Sequence, residues 1–241
     1  MRRALAILFV ALALAPGTWW RSELPERPKD FALRFVAFPA PQIDSAEAAL
    51  APFTVENIWR MESRHGTFGG FSALVPLEDG QFLALSDRGH VLHFSPPGGP
   101  DMPPQTGLLY STMVKGKEHR DIEAASADYA SGTIWTAQEG ANVIVRHGYD
   151  HGRFSINGIV APPEMKGWGG NSGAEAFARL ADGQFVALRE GFKGWFDRTR
   201  HAALIFPGDP VEGHEGEAFT LAGPEGYSPT DMAQMPDGRL L

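Results

Sequence analysis

One four-residue pattern returns about every fifty residues: Gly70-Phe71-Ser72-Ala73, Asp121-Ile122-Glu123-Ala124, Gly173-Ala174-Glu175-Ala176 and Thr230-Asp231-Met232-Ala233. The last residues of successive sets lie 51, 52 and 57 positions apart. Three sets lead to an Asp-Gly pair, at Asp79-Gly80, Asp182-Gly183 and Asp237-Gly238, and Ser131-Gly132 takes that place after the second set. An apolar run follows each of the first three turns, at Phe82–Leu85, Thr133–Ala137 and Phe185–Leu188, and then a third run at Val91–Phe94, Val143–Arg146 and Ala203–Phe206. Short strands joined by tight turns at this period predict an all-β fold, a β-propeller. The near-continuous apolar middle run is what a strand covered on both faces requires. Asp-Gly suits a two-residue hairpin, because Gly adopts positive φ freely and Asp tolerates it.

The rest of the chain fits around this unit. Met1-Arg2-Arg3 precedes an unbroken apolar stretch from Ala4 to Ala15, so residues 1–20 read as a secretory signal or N-terminal anchor. Arg21 to Asp30, charged and carrying Pro25 and Pro28, reads as a linker, and the propeller domain is expected over 31–241. Phe31–Phe38 and Val55–Arg60 are expected strands before the first clear repeat, and no mature segment carries a long apolar stripe of helical period. The run Asp237-Gly238-Arg239-Leu240-Leu241 stops where earlier repeats continue, so four to five blades of an incomplete ring are expected. A formal net charge of −8 argues against a nucleic-acid backbone as partner, and the absence of cysteine excludes disulfides and thiolate metal sites.

In a propeller the innermost strands line a central channel, so the third positions of the tetrads, Ser72, Glu123, Glu175 and Met232, are expected to converge. The runs after the turns end in Asp87-Arg88, Glu139 and Glu190, which adds carboxylates at a second recurring place. Acids gathered on one axis repel unless protonated, paired or neutralised. Two readings stand at this point. Glu123, Glu175, Asp87, Glu139 and Glu190, with Asn171 as a neutral donor, form an oxygen site for a hard cation such as Ca²⁺. In the other, Arg88 and Arg189 pair with the acids in a structural network. Beside them run two basic loops, carrying Lys115, Lys117, His119 and Arg120, and Arg198, Arg200 and His201; Arg and Lys there suit an anionic ester, and a solvated interblade loop is the commoner reading of any one such residue. The sequence holds no Gly-x-Ser-x-Gly elbow, no Walker-type loop and no His-Glu-x-x-His motif.

Gly70–Leu74 with Phe82–Arg88, Asp121–Ala124, Asn171–Phe177 and Ser228–Ala233 with Asp237–Leu241, taken in this order, resemble the phytase-like family, described as having esterase-like activity of the phytase type. The resemblance implies an exported bacterial β-propeller that hydrolyses phosphate or other esters, with a link to calcium-dependent propellers. It places Glu123 and Glu175 first among the channel acids, followed by Asp87, Arg88, Glu139 and Glu190. The expected roles are catalysis at Glu123, Glu175, Asp87 and Arg88, substrate binding at Lys115, Lys117, Arg120, Arg198 and Arg200, and metal ligation at Glu123, Glu175, Glu139 and Glu190. The expected location is periplasmic or secreted, with membrane contact only through the N-terminal segment. The alternative is a non-catalytic periplasmic propeller that binds a ligand or protein partner.

Overall fold

The computed structural model describes residues 31–77, 79–109, 121–150, 153–169, 172–194 and 197–241. The leader, the linker, Lys115, Lys117, His119, Arg120 and Asn171 lie outside them. Among the described residues the chain forms three four-stranded antiparallel sheets and one two-stranded sheet. The first blade is β3 (Phe71–Pro76), β4 (Phe82–Ser86), β5 (His90–Phe94) and β6 (Gln105–Leu108). The second is β7 (Ile122–Asp128), β8 (Thr133–Gln138), β9 (Val143–Asp150) and β10 (Arg153–Val160). The third is β11 (Ala174–Arg179), β12 (Phe185–Arg189), β13 (Arg200–Phe206) and β14 (Glu217–Ala222). Each is a meander whose strands pair in sequence order, and the expected propeller blade is the unit observed.

The first strands stand side by side, β3 against β7 and β7 against β11, so the three sheets fan out from a common inner edge as an open arc. Apolar side chains fill both wedges. Leu83, Leu85 and Val91 meet Ile122 and Ile134 between the first two blades. Trp135 and Ile144 meet Phe177, Phe185 and Phe206 between the second and third. The strands β4, β8 and β12 are buried almost throughout, which is why their sequences are nearly continuous in apolar residues. A Phe or Leu side chain so buried contributes roughly 1.5–3 kcal/mol.

The structure departs from the sequence expectations in three places. The Asp-Gly turns are three-residue loops: Leu180 N–H donates to the Gln184 carbonyl and Gly183 N–H returns to Leu180, with Gly183 at φ +90°. That is a turn closed by a left-handed residue, and Asp182 contributes by accepting from Gln184 N–H at 3.0 Å. A fourth, outermost strand completes every blade, mostly solvent-exposed and therefore without a strong apolar pattern. Ala40–Leu50 is a helix, α1, with no buried residue, so it has no apolar stripe to betray it. It joins β1 (Arg34–Ala37) to its antiparallel partner β2 (Trp59–Glu62), the observed forms of the two leading strands.

The ring is open, as expected. Among the described residues three blades are complete, and the fourth tetrad opens only a short bridge, Gln234 to Leu240, closed around Asp237-Gly238. Met232 of that tetrad packs on the far face of the third blade, against Ala176, Val186 and Leu188. At the other end of the arc, Phe35 and Met61 of the two-stranded sheet cover Ala84, Leu92 and Phe94 of the first blade.

Candidate functional site: a carboxylate cluster at one rim

Every complete blade carries the same irregularity at the start of its inner strand. Ile122 pairs with Gln138 and Ala124 with the adjacent Ala137, leaving Glu123 as an extra residue. Glu175 is left over in the same way between Ala174 and Ala176, and Ser72 between Phe71 and Ala73. A one-residue bulge breaks the alternation of a strand and re-aims the extra side chain. The recurring third position of the tetrad is thus a bulge position, filled by serine once and by glutamate twice. Ser72 uses it to donate to the Ile122 carbonyl of the neighbouring blade.

The second recurring acid is fixed by the backbone opposite that bulge. The N–H groups of Asp87, Glu139 and Glu190 donate to the carbonyls of Gly70, Asp121 and Gly173 at 3.0, 2.9 and 3.0 Å. One acid of each blade therefore sits directly beside the first residue of its own tetrad. Glycine at Gly70 and Gly173 leaves the room: a Cβ at Gly70 would fall 2.9 Å from Asp87 Oδ1, and one at Gly173 would fall 3.0 Å from Glu139 Cα. The Gly173 N–H also donates to Glu139 Oε1 at 3.3 Å, which ties the acid of the second blade to the inner strand of the third.

The result is a cluster that crosses blade boundaries. Asp121, Glu123 and Glu139 bring carboxylate oxygens within 4.8 Å of one another, as do Glu139, Glu175 and Glu190, so Glu139 belongs to both groups. Asp121, buried at 9% exposure, was not among the candidate site residues, although its place at the head of a tetrad marked it. Burial first, then the charges of Glu175, Asp121, Glu139 and Asp87, push the Glu123 carboxyl up to about 7. Burial, then Glu190, Glu139 and Asp121, do the same for Glu175, also to about 7. Carboxylates from all three blades thus act on one another, and the donors are all hard oxygens.

The basic candidates stand differently. Arg88 is 77% exposed in its side chain, with Nε 4.0 Å from Asp87. Arg189 donates to the Ser172 carbonyl at 3.4 Å. On the loop that follows Glu190, the Arg198 guanidinium lies over the Phe192 ring at 5.2 Å and Arg200 reaches Asp197 at 3.3 Å. His201 is buried and donates from Nδ1 to the Gly191 carbonyl at 2.8 Å, so it anchors the backbone next to Glu190. The structure brings Glu123, Glu175, Glu139, Glu190 and Asp87 into one electrostatic neighbourhood and gives the described arginines partners of their own.

Several solved structures are similar to the chain in shape at low identity. A putative 6-phosphogluconolactonase from Bacteroides uniformis is 16% identical with a TM-score of 0.47, the match covering 71% of this chain and 46% of that one. The WD40 repeats of RRP9 are 10% identical at a TM-score of 0.41, covering 73% of this chain and 52% of theirs. The β-propeller domain of Cps50 (Swd1) from Myceliophteria thermophila is 10% identical at 0.40, covering 74% and 53%. The chain thus spans about half the length of the structures it matches. No curated protein matches it in sequence. Residues 66–241, which include every bulge and every carboxylate described above, match the family model described as "Phytase-like: Esterase-like activity of phytase", and the chain belongs to that family.

Proposed function

We propose that this propeller is an ester hydrolase of the phytase-like kind, acting on phosphate or other esters, and that its carboxylate cluster holds a divalent cation. The observation that carries the reading is the pair of carboxylate groups sharing Glu139, with two members held near neutrality by burial and mutual repulsion. An all-oxygen, all-acidic donor set fits Ca²⁺, which takes six to eight oxygens at flexible geometry. Asp121, Glu123, Glu139, Glu175 and Glu190 would hold it. A bound divalent ion polarises a phosphoryl or acyl oxygen and lowers the pKa of a water.

The chain's own groups supply the rest. In the ion-free site Glu123 and Glu175 sit near pH 7, so a cation would bind by displacing their protons, and a member of the pair left off the ion would be placed for general acid–base work. Arg198 and Arg200, with Lys115, Lys117 and Arg120 of the other loop, supply positive charge for an anionic substrate group, and Arg88 stands exposed at the same rim. The apolar leader at residues 1–20 supports export to the periplasm or beyond.

The test is release of inorganic phosphate from phosphomonoesters, and of p-nitrophenol from acyl esters, by the full chain with Ca²⁺ and with chelator. Metal-dependent turnover that collapses in Glu123→Gln/Glu175→Gln is expected, and full activity in that double variant overturns the reading. One observation favours the non-catalytic alternative: Arg198 and Arg200 are engaged by Phe192 and Asp197. Saturable Ca²⁺ binding by calorimetry without turnover on either ester class decides for that alternative, a propeller that binds a ligand or partner.

A further inference from the structure

At the opposite rim, a cleft of about 670 Å³ opens between the first and second blades. Its volume is in the range of small-molecule sites. One wall is a single sheet face. His93 pairs with Leu83 on one side and Gln105 on the other, so these three share a face. Gln81, two residues before Leu83, points the same way. The other wall is the second blade, with Tyr149, Tyr129 and the carboxylates Asp128 and Asp150.

Two polar atoms of the first wall are buried without a hydrogen-bond partner, Gln81 Oε1 and His93 Nε2. Gln81 is only 8% exposed, and its amide orientation is set: Nε2 donates to Asp79 Oδ2 at 2.6 Å, so Oε1 is left as an acceptor. A buried acceptor left unpaired is destabilising, so it marks a place where a donor belongs. Burial lowers the pKa of His93 and keeps the ring neutral, with one donor and one acceptor nitrogen. Its Nδ1 faces the Tyr149 hydroxyl at 3.4 Å, which leaves Nε2 as donor or acceptor according to the tautomer.

The complement is chemically narrow. A hydroxyl that donates to Gln81 Oε1 can also accept from His93 Nε2 when that nitrogen carries the proton, and a second hydroxyl of a polyol can donate to Nε2 in the other tautomer, whereas an ammonium can only donate. Phosphate is disfavoured by charge, because the Asp79 carboxylate stands directly beside Gln81, while Asp128 is already paired with Arg179 at 3.3 Å. Tyr129 and Tyr149 add amphipathic ring surface of the kind that packs against sugar rings. We propose that the cleft between the first and second blades binds a neutral polyhydroxylated ligand, a short saccharide, independently of the carboxylate cluster at the other rim.

Titration calorimetry and ligand-observed NMR on the full chain, with glucose, mannose and maltose as probes and methylammonium and inorganic phosphate as comparators, test this directly. At least one saccharide is expected to bind saturably while both comparators do not. Gln81→Met is expected to weaken that binding about tenfold, the loss of one buried hydrogen bond. Gln105→Ala, at an exposed position, tests the same wall without touching the core and is expected to weaken it while leaving the melting temperature unchanged. Glu123→Gln leaves saccharide affinity unchanged. The proposal is overturned if no saccharide saturates, which assigns the orphan atoms to water alone, if methylammonium binds in preference, or if neither glutamine variant changes the affinity.

Discussion

Glu123 and Glu175 hold their protons well above the ordinary glutamate range, up to about 7, for two reasons that add: burial and the neighbouring carboxylates. An acid whose folded pKa is raised favours the fold fully below its unfolded pKa, and that contribution is lost as pH rises through the folded value. The metal-free protein is therefore expected to lose melting temperature between pH 4.5 and 7. Differential scanning fluorimetry in chelator reads this, and Glu123→Gln/Glu175→Gln should flatten the slope. Added Ca²⁺ should restore stability above pH 7, because deprotonated carboxylates are its ligands. His147 titrates in the opposite sense. Burial holds its imidazole down to about 4, with Thr136 Oγ1 3.0 Å from Nε2. Its contribution is present above pH 6.5 and is lost as pH falls toward 4, at most about 3 kcal/mol. His147→Gln should remove that acid limb from the same scan while leaving the neutral one.

The turns and bulges are where elements acquire their function. Gly183 sits at φ +90°, so Gly183→Ala should cost about 1–2 kcal/mol in urea denaturation, the penalty of a side chain in the left-handed region. Gly173→Ala is a sharper probe. Its Cβ would press on Glu139 Cα, Cβ and Cγ at 3.0 to 3.2 Å, so the protein should fold and yet bind Ca²⁺ more weakly by calorimetry. Unchanged affinity in that variant would disconnect Glu139 from the cation. The turns were legible in sequence because Asp-Gly acts through local backbone preference, though their loop length was not. The bulges were not legible: Glu123 and Glu175 could be singled out by spacing, but what re-aims them is a mismatch of register between two strands. Asp121 escaped the candidate set for a related reason, since its neighbours come from Glu139, across the hairpin, and Glu175, in the next blade.

The arc holds together through its wedges. Phe185 packs edge-on to Trp135 at 4.9 Å between ring centroids and stacks on Phe177 at 5.6 Å, joining the second blade to the third. Phe185→Ala should cost about 3–5 kcal/mol by denaturant unfolding. It should also raise hydrogen exchange in β8 and β12 together, because one cavity opens on both blades. Arg146 reinforces the same seam, bonding Asp209 at 2.7 Å and Glu212 at 2.9 Å. The sequence by itself determined the blade as a unit, its period, the buried middle strands and the recurrence of acids, since these follow from short-range turn chemistry and binary pattern. It could not reveal the exposed fourth strands or α1, which bury little and so leave no pattern. Only the tertiary structure decided that Glu139 stands between two blades and that Gln81 and His93 face a cleft. Proximity across a seam is set by how sheets pack against each other, and no local preference along the chain encodes that distance.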